Sequence, residues 1–440
     1  LYGEKRGFDE RGLGLLDLIS GKTQIIADGV EVNNLDGHFA GGGVYYRSAL
    51  GADGFHLWHY RIGAAAPEPV RLPFVNDLES LGVYGDGAVI ILGYRSGLAG
   101  RTVVLSAGLS EVLQFGVPPE QVKDAVFSDS DPQLGVISVE TAGQPLRYYL
   151  VGKGSPRQMY DANRSGIDSR YFSEWRSGWI TSFDGLKLPV HLFIPNGTSP
   201  QQPRPVILLI HGGPEAHVDP GYSSEIQFLN NRGFIVVAPN VRGSTGFGKA
   251  FESLDDNDWG GGHIRDLVAV VAAVRELDFV EAGNVFAAGM SFGGFSVMSL
   301  VTQYPELVRA GADFFGFTEL ATFVDSWPHY LQQNIAAELG FDPRRDPVRN
   351  RAASPLYHLD RVRIPLQIHQ GANDSRVPRE QSDWLVQRLR DSGRTVEYFV
   401  YADEGHGFTR FANQRLAYLR LVDFFRRQLA TAAPSRSAVP

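Results

Sequence analysis

The run Gly289-Met290-Ser291-Phe292-Gly293-Gly294 places a serine between two glycines at the spacing of a hydrolytic nucleophile. The stretch before it, Asn284–Gly289, reads as a strand, and the stretch from about Gly293 to Tyr304 reads as a helix. A serine on such a strand-to-helix turn, a nucleophile elbow, sits in a strained backbone where side chains two positions to either side would clash. The helix start adds unpaired N–H groups and a positive dipole end, which suit a developing oxyanion. The competing reading is a glycine-rich turn with an incidental serine. The flanking strand, the helix and the additional Gly294 favour the nucleophile.

A serine hydroxyl needs a base to take its proton, and eleven histidines compete for that role. In α/β-hydrolases the partners follow the serine in the order acid, then histidine. Asp374 lies in Asn373-Asp374-Ser375-Arg376-Val377-Pro378, just after an expected strand at Ile364–Gln370. His406 lies in Glu404-Gly405-His406-Gly407-Phe408, just after another at Val396–Tyr401. All three residues therefore fall at the C-terminal ends of strands, where open α/β sheets carry their sites. Taken singly, Asp374 reads as a turn or cap residue and His406 as a solvated loop histidine. Taken together with Ser291 they read as nucleophile, orienting acid and general base.

His369, inside a strand, reads as a buried hydrogen-bonded histidine, and His217 has no acid partner visible in sequence. Asp403 and Glu404 adjoin His406, but adjacent side chains point apart. The oxyanion donors are expected to be the N–H of Phe292 and one from His211-Gly212-Gly213-Pro214, with Gly213 favoured and Gly212 the alternative. Arg376 is expected to reach the same cleft and hold a carbonyl or carboxylate, unless it forms a surface ion pair. No metal or other cofactor is implied. Asp255, Asp256 and Asp258 read as a solvated acidic loop, since the glycine and closing glutamate of a calcium loop are missing.

The elements that must position these groups divide the 440 residues into two grammars. Residues 1–174 read as short strands separated by turns, beginning with a hairpin of Leu15–Ile19 and Thr23–Ala27. Their spacing of roughly 8–12 residues suggests a sandwich, a barrel or propeller blades. At ~40–50 residues per blade this half makes three or four blades, so an all-β, partial β-propeller-like domain is one expectation. Residues 175–430 alternate strands with helices and imply a mainly parallel sheet with helices on both faces, an α/β hydrolase. Residues 431–440 read as a flexible tail.

Composition sets the outer bounds. The net charge of −8 disfavours a nucleic-acid partner. With no cysteine there are no disulfides, thiolate nucleophiles or zinc–cysteine sites. The apolar runs are far shorter than the ~20 residues of a membrane helix, so no membrane association is expected. The expectation is a soluble protein whose compartment, cytoplasm or periplasm, the composition leaves open. Because the sequence begins at Leu1 rather than Met, a removed leader or a missing upstream segment is expected.

Across about 175–430 several stretches together resemble the prolyl oligopeptidase family of serine peptidases. They are Ser182-Phe183-Asp184-Gly185, His211-Gly212-Gly213-Pro214, Asn240-Val241-Arg242-Gly243-Ser244-Thr245-Gly246-Phe247-Gly248, Asp258-Trp259-Gly260-Gly261-Gly262 and the three segments around Ser291, Asp374 and His406. The His-Gly-Gly-Pro form resembles the acylaminoacyl-peptidase branch. The resemblance implies hydrolysis of short peptides through an acyl-enzyme, a propeller that restricts entry, and a role for Arg376 in holding a substrate carbonyl. It places an acyl-side pocket after the nucleophile helix, where Phe314, Phe315, Phe317, Trp327 and Tyr330 cluster, although some of these read equally as core. The β half is shorter than the family's usual propeller, so a separate N-terminal fragment completing it is one expectation, and a homo-oligomer is left open. A carboxylesterase, an isopeptidase or a non-catalytic binding protein are the alternatives.

Overall fold

The computed structural model describes residues 2–429 apart from 6–10, 31–36, 50–51, 73–76, 107–111, 114–121, 142–143 and 164. The proposed tail at 431–440 lies outside the described residues. The chain divides into two compact units, Leu1–Ser169 with Gly246–Ala250, and Arg170–Thr245 with Phe251–Pro440.

Among the described residues, the first unit is a series of four small antiparallel sheets, of three, four, three and four strands, each built from consecutive strands. This is the up-and-down connectivity of propeller blades. The third sheet (Leu78–Tyr84, Val89–Ser96, Ala99–Ser106) shows why they stack. Side chains alternate along a strand, so Ile90 and Leu92 pack with Leu57 of the preceding sheet and with Phe55 just before that strand. Val89 and Ile91 pack the other way, onto Ile137 and Phe127 of the following sheet.

The first hairpin corrects the expected strand Leu15–Ile19. The strand is Arg11–Leu16, and Leu18 and Ile19 are 89% and 99% exposed. The carboxylate of Asp17 accepts the N–H groups of Ile19 and Ser20 and turns the chain there.

The second unit holds an eight-stranded sheet. Its strands are β1 (Glu174–Thr181), β2 (Lys187–Ile194), β3 (Arg204–Ile210), β4 (Ile235–Pro239), β5 (Val280–Met290), β6 (Gly311–Phe314), β7 (Leu366–Gly371) and β8 (Val396–Tyr401). Their spatial order is β1-β2-β4-β3-β5-β6-β7-β8. β2 is antiparallel to both β1 and β4, and the remaining pairs are parallel. β3, β4 and β6 are almost wholly apolar and buried, as strands covered on both faces must be. On one face Phe234 and Phe286 pack against Phe424 and Phe425 of the helix Phe411–Leu429. Between β6 and β7 lie three helices that the periodicity did not reveal, Leu320–Asp325, His329–Glu338 and Pro347–Ala353. They are short, and two begin at or just after a proline, so each offers little periodic signal.

Among the described residues, no helix is long and apolar enough to cross a membrane. The acidic loop also differs from expectation. Asp255 is buried rather than solvated, packed against Gly243. Burial, reinforced by Asp256, raises its carboxyl to about 8. Asp258 accepts the N–H of Gly262 at the start of the helix Gly262–Arg275.

Candidate active site

Ser291 stands at the junction of β5 and the helix Phe292–Gln303, with φ 58° and ψ −119°. A non-glycine residue in the left-handed half of φ is strained, and the surroundings must hold it there. The Ser291 N–H donates to the carbonyl of Phe314 at 2.8 Å, and its own carbonyl accepts the N–H of Phe295 at 3.0 Å. The flanking glycines make the turn fit. A Cβ on Gly289 would lie 2.3 Å from the Gly293 carbonyl oxygen, and one on Gly293 would lie 2.2 Å from that of Ile210. Gly294 has the same constraint from below, where its Cβ would meet Oδ1 of Asp313 at 2.1 Å.

The other two residues arrive on loops after β7 and β8. Nε2 of His406 is 2.9 Å from Oγ of Ser291, and Nδ1 of His406 is 2.8 Å from Oδ2 of Asp374. The Asp374 side chain is fully buried, and that of His406 is 16% exposed. Oδ1 of Asp374 accepts the N–H groups of Arg376 and Val377, both at 2.9 Å. With the Nδ1 proton directed at Asp374, Nε2 presents its lone pair to the serine hydroxyl. The ring of Phe315 lies 6.1 Å from that of His406.

Two supports of this arrangement carried no sequence signal. Gln370, at the end of β7, donates from Nε2 to Oδ2 of Asp374. Glu404 anchors the histidine loop. Its carboxylate accepts the N–H and hydroxyl of Thr409, the N–H of Arg410 and the amide of Asn413. Burial pushes this carboxyl up, but those hydrogen bonds outweigh it and hold it at about 2.

The glycine loop after β3 lies against the serine. A Cβ on Gly212 would sit 3.4 Å from Cβ of Ser291, while Gly213, at φ 136°, precedes a cis proline. His211 fixes this loop from beneath through Nε2 to Oγ of Ser244 at 3.0 Å. Asn240 clamps both the N–H and the carbonyl of Val218. Phe292 opens its helix, where first-turn N–H groups have no intrahelical acceptor.

Other predicted residues fall differently. The Arg376 side chain is exposed, and no hydrogen bond or ion pair holds its guanidinium among the described residues. His369 is buried, bonded to Tyr401 and Gln367. Phe314 is no pocket wall: it stacks on His369 at 4.2 Å inside the core. Phe317 is likewise buried, stacked on Phe323 at 4.0 Å in a cluster with Phe292, Phe295, Trp259 and Val377. Trp327 packs at the margin of that cluster, partly exposed. The Tyr330 side chain lies outside the described residues.

Two of the remaining motifs, those of Asp184 and Arg242, are joined by an ion pair. Arg242 is bonded through Nε and Nη2 to Asp266 and through Nη2 to Asp184. Its guanidinium lies over the ring of Phe183, 4.8 Å from the centroid.

Residues 220–432 match the model of the prolyl oligopeptidase family. The chain is 32% identical over 298 residues to the dipeptidyl aminopeptidase BIII of Pseudoxanthomonas mexicana, covering 65% of this chain and 43% of that protein. It is 26% identical to acylamino-acid-releasing enzyme 1 of Oryza sativa subsp. japonica, over 56% of this chain and 33% of that one. Thus the chain spans less than half the length of these relatives. Among solved structures, a Mycobacterium tuberculosis puromycin-hydrolyzing peptidase superimposes with a TM-score of 0.83 at 20% identity, over 97% of this chain and 66% of that one. The Pyrococcus horikoshii acylaminoacyl peptidase gives 0.77 at 20% identity, over 98% and 68%. At such identity these structures speak for the fold.

Proposed function

Given that this chain belongs, through residues 220–432, to the prolyl oligopeptidase family, we propose that it hydrolyses short peptides by acyl transfer through Ser291. The observation that carries this reading is the continuous hydrogen-bonded line from Ser291 through His406 to Asp374 at the C-terminal edge of the sheet.

Oγ of Ser291 attacks the scissile carbonyl carbon while Nε2 of His406 takes its proton. Asp374 holds the imidazole in the tautomer that can accept and stabilises the imidazolium that forms. The tetrahedral oxyanion is received by the N–H of Phe292 and by that of Gly213, with Gly212 as the alternative. His406 then returns the proton to the leaving amine. Water, activated by the same histidine, releases the acid from the acyl-enzyme. The Arg376 guanidinium has no hydrogen-bond or ion-pair partner among the described residues, which suits a group that binds a substrate carbonyl. Of the aromatics expected on the acyl side, Trp327 keeps exposed surface, at the margin of the cluster that buries Phe317 and Phe292, and an aromatic rim there would favour an apolar side chain before the scissile bond.

A fluorophosphonate probe tests the reading. It is expected to modify Ser291 alone, as mapped by peptide mass, and Ser291→Ala is expected to abolish both labelling and turnover. Hydrolysis that persists in Ser291→Ala would overturn the assignment. Peptide anilides with free and acylated N-termini, set against short acyl esters, then separate a peptidase from an esterase.

A further inference from the structure

The end of β7 carries a polar side chain, Gln370, that is completely buried. Its Nε2 faces three acceptors: the carbonyl of Val377 at 3.1 Å, that of Gly371 at 3.3 Å and Oδ2 of Asp374 at 3.3 Å. Its Oε1 accepts the hydroxyl of Ser382 at 2.9 Å. Ser382 lies in the first turn of the helix Arg379–Asp391 and is also completely buried. The amide therefore has one orientation, because a flip would turn its oxygen toward three acceptors.

We infer that Gln370 is a positioning residue whose Ser382-locked amide holds the Asp374 loop closed and shares the carboxylate oxygen that meets His406. The inference rests on the triad reading of Ser291, His406 and Asp374. Residues 372–378 form the loop that leaves β7 and must present Asp374 at one distance from His406. The Arg376 and Val377 N–H groups fix Oδ1 from inside the loop. Gln370 spans the loop's mouth, reaching both the carboxylate and the far carbonyl of Val377. Ser382 ties this brace to a helix, so the position of the acid is set by a rigid element rather than by the loop alone.

The brace also acts electrostatically. Oδ2 of Asp374 divides its negative charge between the Gln370 amide and the His406 imidazole. Removing the amide leaves more of that charge to the imidazolium, which is then held more tightly. The charged and titratable groups on the surrounding segments are Arg376 beside Asp374, Asp403, Glu404 and Arg410 about the histidine loop, and Arg379 and Glu380 at the helix start. None of these is changed in the variants below.

The test is Gln370→Met, which keeps volume and loses the donor, alongside Ser382→Ala, which frees the amide to turn. Each is assayed by its fluorophosphonate inactivation rate and by kcat and KM on a short p-nitrophenyl acyl ester, across the pH range where imidazole titrates. Gln370→Met is expected to lower kcat by about 10- to 100-fold with little change in KM. The acid limb of its pH profile moves to higher pH, and Ser382→Ala moves in the same direction by less. Should Gln370→Met fail to fold, Ser382→Ala carries the test. Wild-type rates in both variants would overturn the inference, as would a lower kcat with the acid limb unmoved or shifted to lower pH, the signature of a loosened loop. Failure of the probe to label wild-type Ser291 would instead remove the triad reading itself.

Discussion

Gly371 and Gly405 meet backbone to backbone: a methyl group on Gly371 would lie 2.1 Å from the carbonyl oxygen of Gly405. This contact joins the loop that carries Asp374 to the loop that carries His406. It is reinforced by the N–H of Asn373, which donates to the carbonyl of Glu404 at 3.0 Å. The hydrogen bond between Asp374 and His406 thus depends on two loops approaching more closely than a side chain allows. Gly371→Ala is expected to push them apart and lower kcat by about 100-fold, while costing about 1–3 kcal/mol of stability. Steady-state kinetics with thermal unfolding check this, and wild-type turnover in a folded variant would show that the contact is not limiting.

Glu404 predicts an acid-side signature. Its carboxyl is held at about 2 against an ordinary 4.5. A depressed carboxylate contributes stability that is present above the unfolded value and lost as pH falls toward the folded one. Wild-type protein should therefore lose part of its stability between about pH 4.5 and pH 2 through this group, and Glu404→Gln should lose less over that window. At neutral pH the substitution should lower the unfolding midpoint and reduce kcat, because Thr409, Arg410 and Asn413 lose the anion that gathers them. Identical acid-unfolding curves for the two proteins would contradict this.

Asp313 predicts the opposite sign. It lies beneath the elbow, with Oδ1 accepting the N–H of Gly316 at 2.9 Å. Burial raises its carboxyl to about 7, with the Gly316 N–H opposing. Between the unfolded value of 3.8 and about 7 the unfolded chain releases a proton that the folded chain keeps. Stability therefore falls as pH rises through that window. Asp313→Asn keeps an oxygen for Gly316 and cannot ionise. Its stability relative to wild type should rise from pH 4 to pH 8 by on the order of 1–4 kcal/mol. Denaturant unfolding at the two values checks this, and a constant difference would refute it.

The parts legible in sequence were those set by local constraints. Gly289, Gly293 and Gly294 flank Ser291 because the backbone of one turn demands it. Asp374 and His406 could be placed because each directly follows a strand whose pattern is unmistakable. Gln370, Glu404 and Asp313 were silent because their partners, Ser382, Asn413 and Gly294, come together only in the folded chain. Burial is hard to read in sequence for a related reason. Phe314 is the last residue of β6, and whether such a residue faces the cleft or the core depends on neighbours such as His369. Asp255 looked solvated because its sequence neighbours are acidic, whereas the fold turns it inward against Gly243.

Arg376 supplies the sharpest test of substrate contact. Its backbone N–H is committed to Asp374, so the main chain is fixed while the exposed guanidinium is not held by any group among the described residues. A side chain that touches only substrate, and touches it equally in the ground and transition states, changes KM and leaves kcat alone. Arg376→Ala is therefore expected to raise KM for a peptide anilide by about tenfold or more with kcat within a few-fold of wild type. Arg376→Lys should recover only part of the loss, because an ammonium cannot reproduce the two-pronged donor geometry of a guanidinium. A short acyl ester lacking the peptide carbonyls should be almost indifferent to both changes. A fall in kcat with unchanged KM on the anilide would instead mean that Arg376 acts through the Asp374 loop and not on the substrate.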